Sequence, residues 1–375
     1  MTTLAKTYDP VSVNLGDRSY DIVIGENLLD RAAGLIDPHL ASKKVLVVTD
    51  RSVGALYGNA LNLTGLDVVT VTVDDGETSK SFETLQIVLN AMFEHRLERN
   101  DTIIALGGGI VGDLTGFAAS IYKRGCRFIQ IPTTLLAQVD SAVGGKTAIN
   151  VKYGKNLIGA FYQPKIVLAD MNVLSTLPSR QIKAGYAEIL KYGLIGNREF
   201  FNWLNKNGSK ILAGDKQATA KAVQISCQTK AQIVANDEQE RGQRALLNLG
   251  HTFAHALEAE AGYSGDLLHG EAVSAGIEMA FDYSVATGFC SAKDLEAVRR
   301  HLRKHNLVDI KRVAHLLSKP ENLLKHMQQD KKNQSGEITL ILACGIGEAF
   351  VHKRAYAETV SNYLKYLAVD NCYKQ

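Results

Sequence analysis

The stretch Thr102-Ile103-Ile104-Ala105-Leu106-Gly107-Gly108-Gly109-Ile110-Val111-Gly112-Asp113 decides the fold. Its first five residues form an apolar, β-prone run that predicts a strand buried on both faces. The glycines then lead into a helical pattern at Leu114, Phe117, Ala118 and Ile121. A strand that turns through glycines into a helix is the building unit of a parallel, doubly wound sheet. Such glycines let backbone N–H groups approach a pyrophosphate at a helix N-terminus, where unpaired donors and the helix dipole favour an anion. Glycine-rich turns also occur merely so that a helix can pack close, and this one does not follow the first strand. The letters alone leave both readings open.

On the N-terminal side, Lys43-Lys44-Val45-Leu46-Val47-Val48-Thr49-Asp50 has the pattern of another buried parallel strand, ending in an acid able to accept a ribose hydroxyl. Residues 66–73 predict a further strand and 81–94 a helix, while alternation over 11–24 around Gly16-Asp17 predicts a β-hairpin. On the C-terminal side, Gly145-Lys146-Thr147 mimics the end of a P-loop, but the earlier glycine of that motif is missing. That leaves Asp140 and Lys146 in an expected flexible loop. Lys152, Lys155 and Asn156 follow in a glycine-containing turn, which suits either a phosphate pocket or a surface charge cluster. Beyond Leu177-Pro178 helical periodicity dominates until the strand-like run 337–342. The expected division is therefore an α/β domain over 1–178 and a mostly helical domain over 179–375.

A chain of 375 residues exceeds what one hydrophobic core usually serves, in keeping with two domains. A net charge of +3 with dispersed Lys and Arg points to neither a nucleic acid nor a membrane partner. Five widely scattered cysteines without a Cys-x-x-Cys pair suggest free thiols in a reducing, cytoplasmic setting. No signal-peptide core or membrane-spanning run is evident.

The helical half carries Leu247-Asn248-Leu249-Gly250-His251-Thr252-Phe253-Ala254-His255-Ala256-Leu257-Glu258. On a helix His251 and His255 stand one turn apart with Glu258 three residues on, which is metal-ligand spacing. Thr252 occupies the position of the general base in the His-Glu-x-x-His zinc proteases, so a protease is excluded. His269 follows as a further candidate ligand. Glu188, set among small residues, is expected to point into a tight interface rather than into water.

Taken together, the motifs resemble the 3-dehydroquinate synthase family from end to end. The resemblance is carried by Asp75-Gly76-Glu77-x-x-Lys80, by Gly107-Gly108-Gly109-x-x-Gly112-Asp113, by Pro132-Thr133-Thr134, and by Gln138-Val139-Asp140-Ser141-x-Val143-Gly144-Gly145-Lys146-Thr147. Gly154-Lys155-Asn156, Ala184-Gly185-x-Ala187-Glu188, Lys230-Ala231, Arg244 to Phe253 and His269-Gly270-Glu271 complete it. It implies an NAD-binding α/β domain coupled to a helical metal domain. Glu188, His251 and His269 would ligate a divalent metal, zinc or cobalt, and His255 becomes a proton-handling neighbour rather than a ligand. NAD would lie along Asp50, then Asp75, Gly76, Glu77, Thr78, Ser79 and Lys80. Its contacts would continue through Gly109, Ile110, Val111, Gly112 and Asp113 to Thr133, Thr134, Lys146, Lys155, Val173, Leu174, Ser175 and Thr176. Asp140, Lys146, Lys230, Arg244, Asn248 and one of Lys331 or Lys332 would meet the substrate, a phosphorylated sugar acid. Arg124 would join them from a neighbouring subunit, implying a homodimer.

The implied reaction converts 3-deoxy-D-arabino-heptulosonate 7-phosphate into 3-dehydroquinate and phosphate. Transient oxidation by NAD acidifies a C–H, phosphate is eliminated, the hydride returns, and the opened ring closes by an intramolecular aldol step. Departures from the family pattern, at Ala142, Ala148, Ala254 and Lys152-Tyr153, change packing rather than chemistry. The rival readings are another sugar-phosphate cyclase, a metal-dependent polyol dehydrogenase and a nucleotide-binding regulatory protein. The last would gain nothing from Glu188, His251 and His269.

Overall fold

The alternating pattern of the N-terminal half becomes a seven-stranded sheet in the computed structural model, which describes residues 7–262, 265–328 and 337–372. The strands of the chain are β1 (Val11–Val13), β2 (Tyr20–Gly25), β3 (Lys44–Asp50), β4 (Asp67–Val73), β5 (Thr102–Gly107), β6 (Arg127–Pro132), β7 (Lys146–Val151), β8 (Gly154–Phe161), β9 (Ile166–Asp170), β10 (Ile338–Gly345) and β11 (Glu348–Ala355). The helices are α1 (Ala32–Ile36), α2 (Arg51–Tyr57), α3 (Phe82–Glu94), α4 (Gly109–Ile121), α5 (Ser179–Gly196), α6 (Arg198–Leu212), α7 (Lys216–Asn236), α8 (His251–Glu260), α9 (His269–Ala286), α10 (Ala292–Lys304), α11 (Pro320–Gln328) and α12 (Ala357–Cys372).

The sheet order is β1-β2-β9-β6-β5-β3-β4. The expected hairpin pairs β1 with β2 antiparallel, with Val11 opposite Ile22, and the other strand pairs are parallel. After β4 the chain returns past β3 to lay down β5, so the winding reverses between β3 and β5. In such sheets the crevice at the carboxyl ends of the strands receives the ligand. Every residue of β5 is buried, as its unbroken apolar run requires. Leu46, Val48, Ile103 and Ala105 of the sheet pack against Leu85, Val88 and Met92 of α3 and Leu114, Phe117 and Ala118 of α4 in one core. Ser81 caps α3 by accepting from the Thr84 N–H at 3.3 Å, which fixes the start of the expected helix.

The region expected to be a flexible loop around Asp140 and Lys146 is ordered differently. A wide helical turn covers Ala137–Ser141, in which the Ala142 N–H reaches back to the Ala137 carbonyl at 3.0 Å. β7 and β8 then form a separate antiparallel hairpin. Its cause is burial: Ala148 and Ile149 turn inward, and α4 comes close to β7 because Gly116 lacks a side chain. A Cβ there would lie 2.4 Å from Thr147 Cγ2 and 2.9 Å from the Phe128 ring.

Two compact units result, and their boundary differs from the division at 178. The first comprises the chain up to Ile182 together with Gly214–Gln239; the second comprises Lys183–Ala213 and the described residues from Glu240 onward. α7 therefore belongs with the sheet. Its Gln224 amide donates to the Asp9 carbonyl at 3.1 Å, its Cys227 thiol to the Gln138 carbonyl at 3.2 Å, and Glu238 beyond it pairs with Arg18. Among the described residues the second unit is helical apart from the hairpin β10–β11. Only the first strand of that hairpin has a counterpart in the sequence reading. Among the described residues no helix is long and apolar enough to cross a membrane.

Candidate metal centre and nucleotide crevice

Within the second unit, three elements bring one side chain each to a common point. Glu188 lies in the buried middle of α5, while His251 and His269 are the first residues of α8 and α9. Two glycines set the approach. A Cβ on Gly270 would lie 2.0 Å from the Ala184 carbonyl oxygen, so the start of α9 rests directly on α5. Gly250 has φ +78, and a Cβ on it would lie 2.5 Å from the Ile277 nitrogen, so the start of α8 rests on α9. Any other residue would hold these helix ends apart.

The Glu188 side chain is 0% exposed, and its Oε1 faces the Nε2 atoms of His251 and His269, each at 3.5 Å. Neither carboxylate oxygen accepts a well-directed hydrogen bond, although Lys191, one turn along α5, forms an ion pair with Oε2. Lys191 answers Oε2, and Oε1 between the two imidazoles is the position a further cation would satisfy. A divalent ion bonded at roughly 2.0–2.1 Å in tetrahedral geometry separates its ligands by about 3.4 Å, close to the spacing found here. The other imidazole nitrogens are engaged: His251 Nδ1 faces the Leu249 carbonyl at 3.2 Å, and His269 Nδ1 faces Glu258 Oε2 at 3.1 Å. In the Nδ1–H tautomers, the Nε2 atoms that face Glu188 would be the ones offered to a metal ion. The donor set of one carboxylate and two imidazoles suits zinc or cobalt.

Electrostatics agree with this arrangement. Burial pushes the Glu188 carboxyl up, but Lys191 and the two imidazoles outweigh it and hold the group well below the usual carboxylate range. Burial, reinforced by Lys191, lowers His251 to about 4. Burial also disfavours charge on His269, yet Glu258 and Glu188 on either side raise it to about 10. That proton occupies a field that a metal ion would satisfy instead.

The spacing-based pair is thereby divided. His255 is exposed, and its ring centre lies 5.7 Å from that of His251 and 6.2 Å from that of His269. Glu258 is buried against His269 and does not face Glu188. His255, Glu258 and His269 also form a second cluster with ligand atoms within 4.8 Å of one another. Sequence reasoning missed Lys191, although its i, i+3 relation to Glu188 amid apolar neighbours was a usable signal.

The first unit gathers the residues assigned to NAD at the carboxyl edge of its sheet. Asp50 ends β3 and caps α2 by accepting from the Val53 N–H at 2.7 Å, so it has a structural duty as well. Asp75 accepts from the Ser52 N–H at 3.0 Å and hydroxyl at 2.9 Å, which hold its carboxyl below the usual range. Gly76, at φ +92, turns the chain into a short helical turn through Glu77, Thr78 and Ser79. The buried Lys80 ammonium pairs with Asp113 and donates to Asn156 Oδ1 at 2.5 Å. Asn150 donates to Glu77 at 2.7 Å, and Lys155 stands 4.0 Å from the same oxygen. This loop is therefore tied to α4 and to the β7–β8 hairpin.

α4 begins at Gly109 with no side-chain cap and no acid in its first turn, so no side chain of its own competes there for the N–H groups of Gly109, Ile110 and Val111. Packing needs the glycines too: a Cβ on Gly109 would lie 2.8 Å from Ser141 Oγ and one on Gly112 2.8 Å from Gln130 Oε1. Thr133 follows β6 with its hydroxyl buried and without a partner, while Thr134 Oγ1 accepts from the Ala137 N–H at 3.1 Å. Val173, Leu174, Ser175 and Thr176 form a short helical turn after β9, and Tyr57 donates to the Val173 carbonyl at 2.9 Å.

Of the substrate candidates, Arg124, Asp140, Lys146 and Lys230 lie in the first unit and Arg244, Asn248 and His255 in the second. Lys230 Nζ donates to Asp140 Oδ1 at 2.8 Å and to its carbonyl at 2.6 Å. The Lys146 side chain is exposed, and so is Arg124, which has φ +65 in a turn where Lys123 has φ +47. Arg244 is fully buried, and the Asn248 amide donates to Glu240 at 2.7 Å and to the Ala245 carbonyl at 3.1 Å. Lys331 and Lys332 lie outside the described residues.

Comparison with known proteins supplies an independent line. The 3-dehydroquinate synthase N-terminal family model matches residues 70–184, and the 3-dehydroquinate synthase C-terminal family model matches residues 185–333. A 3-dehydroquinate synthase of Caulobacter vibrioides is 51% identical over 351 residues, covering 92% of this chain and 94% of the relative. Among solved structures, a 2-epi-5-epi-valiolone synthase of Streptomyces hygroscopicus with NAD+ and Zn2+ bound is 29% identical with a TM-score of 0.84, over 95% of this chain and 99% of that one. A 2-deoxy-scyllo-inosose synthase complexed with carbaglucose-6-phosphate, NAD+ and Co2+ shares the fold at 24% identity, with a TM-score of 0.83 over 96% of this chain and 100% of that one.

Proposed function

The chain belongs to the 3-dehydroquinate synthase family, and from that premise we infer that it converts 3-deoxy-D-arabino-heptulosonate 7-phosphate into 3-dehydroquinate and phosphate. The observation that carries this reading is the buried Glu188 carboxylate facing two imidazole nitrogens at 3.5 Å, in a chain that the family matches across both units. Glu188, His251 and His269 would hold zinc or cobalt, and the carboxyl-edge crevice of the sheet would hold NAD. Bound there, NAD would supply a reversible hydride acceptor and the metal ion a Lewis acid for the alcohol oxygen.

The chain's own groups do the rest. Lys230, bonded to the Asp140 carboxylate and carbonyl, and Lys146 supply two ammonium groups suited to an anionic substrate. Arg244 supplies a planar guanidinium suited to carboxylate or phosphate, and Asn248 is oriented by Glu240. His255, beside two histidines yet open to solvent, is suited to moving a proton between the substrate hydroxyl and water. Family membership also suggests a homodimer in which Arg124 reaches the neighbouring copy. The free thiols Cys126, Cys227, Cys290 and Cys344 support a reducing, cytoplasmic setting.

The test is a phosphate-release assay with a catalytic amount of NAD. Stoichiometric phosphate and 3-dehydroquinate with no net NADH are expected; steady NADH accumulation would instead support a dehydrogenase, and a different carbocycle another cyclase. Far higher identity to 3-dehydroquinate synthases than to the other cyclases supports the former.

A further inference from the structure

The two histidines of the candidate metal centre are held from behind by chemically different groups. His251 Nδ1 faces a neutral carbonyl, that of Leu249, at 3.2 Å, whereas His269 Nδ1 faces the carboxylate of Glu258 at 3.1 Å. Glu258 comes from α8, seven residues after His251 and on the same face, and is 4% exposed. Burying a carboxylate costs several kcal/mol unless donors or cations answer it, and the His269 imidazole is one such partner.

We propose that Glu258 is a positioning residue that fixes His269 as the Nδ1–H tautomer, aims its Nε2 lone pair at the metal position and raises its strength as a ligand. This rests on the reading of Glu188, His251 and His269 as the metal-binding set. The physical basis is general: a carboxylate accepting from the far nitrogen of a ligating imidazole makes that imidazole a better electron donor, and its removal weakens metal binding about ten- to a hundredfold. The geometry favours this role over a second metal at His255, Glu258 and His269. Such a metal would require Nδ1 to lose its proton while Nε2 serves the first ion.

The test measures zinc dissociation constants by chelator competition, metal stoichiometry at saturation and the cobalt(II) visible absorption bands of the full-length protein. Glu258→Ala should bind zinc about ten- to a hundredfold more weakly and shift the cobalt bands, with a metal-free fold unchanged by circular dichroism. Glu258→Gln keeps an acceptor oxygen of the same shape, is the variant least prone to misfold, and should restore part of the lost affinity. Wild-type affinity and spectra in both variants would overturn the inference while leaving the metal set intact. Two zinc ions per wild-type chain, one of them lost in Glu258→Gln, would make Glu258 a ligand and also overturn it. Wild-type protein without stoichiometric zinc, or full affinity in His251→Ala, would instead sink the metal set itself.

Discussion

His251 and His255 are one turn apart on α8, yet the first is buried and the second exposed. That difference separates their expected phenotypes. His251→Ala should lose zinc by metal analysis and turnover with it. His255→Ala should retain one metal per chain and turn over roughly 10²–10⁴-fold more slowly, the usual contribution of a general acid–base group. Spacing made these residues conspicuous, but it could not say which of them turns inward, because that depends on how the start of α8 rests on α9. The far side of α5 holds a second histidine pair. Tyr186 lies 3.0 Å from His301 Nε2, and burial lowers His301 to about 3 and His305 to about 4. Both are depressed below the unfolded value near 6.5, so the unfolded chain binds more protons between those limits. Stability is then full above about pH 6.5 and declines as the pH falls toward 4. Thermal melts at pH 7 and pH 5 should show a drop of several degrees, smaller in His305→Gln.

Elements were legible wherever one periodicity dominated. The run into β5 and the helix α4 follow directly from 102–121, and α3 from its apolar spacing and Ser81 cap. The β7–β8 hairpin was not, because what orders it is the glycine face of α4, some thirty residues earlier in the chain. Gly116→Ala tests that dependence: with a methyl 2.4 Å from Thr147 Cγ2, it should destabilise the protein by about 1–3 kcal/mol in urea unfolding. Gly270→Ala makes the matching test in the second unit. Its methyl would meet the Ala184 carbonyl at 2.0 Å, pushing α9 from α5. Zinc affinity should fall although no ligand has been touched, as competition with a chelator would reveal.

For the whole molecule, metal and fold should be linked. Chelation should abolish turnover, with zinc or cobalt restoring it. It should also lower the melting temperature, since a ligand at a hundredfold excess over its Kd contributes about 2.7 kcal/mol to the folded state. The two-unit plan was legible in the change of texture after Pro178, but the return of α7 was not. Helical periodicity identifies a helix without identifying the surface it covers, and the partners Asp9, Gln138 and Asp140 lie some 90 to 215 residues before it. That return has a consequence during synthesis on the ribosome. When the last strand of the large sheet has emerged, β1 and β2 still lack the helix that packs on them, and they must wait for α5 and α6 to be translated first. The nascent sheet is therefore exposed to misassembly for that interval. A chain cut after residue 182 should aggregate on expression, whereas one extended through residue 239 should be less prone to do so.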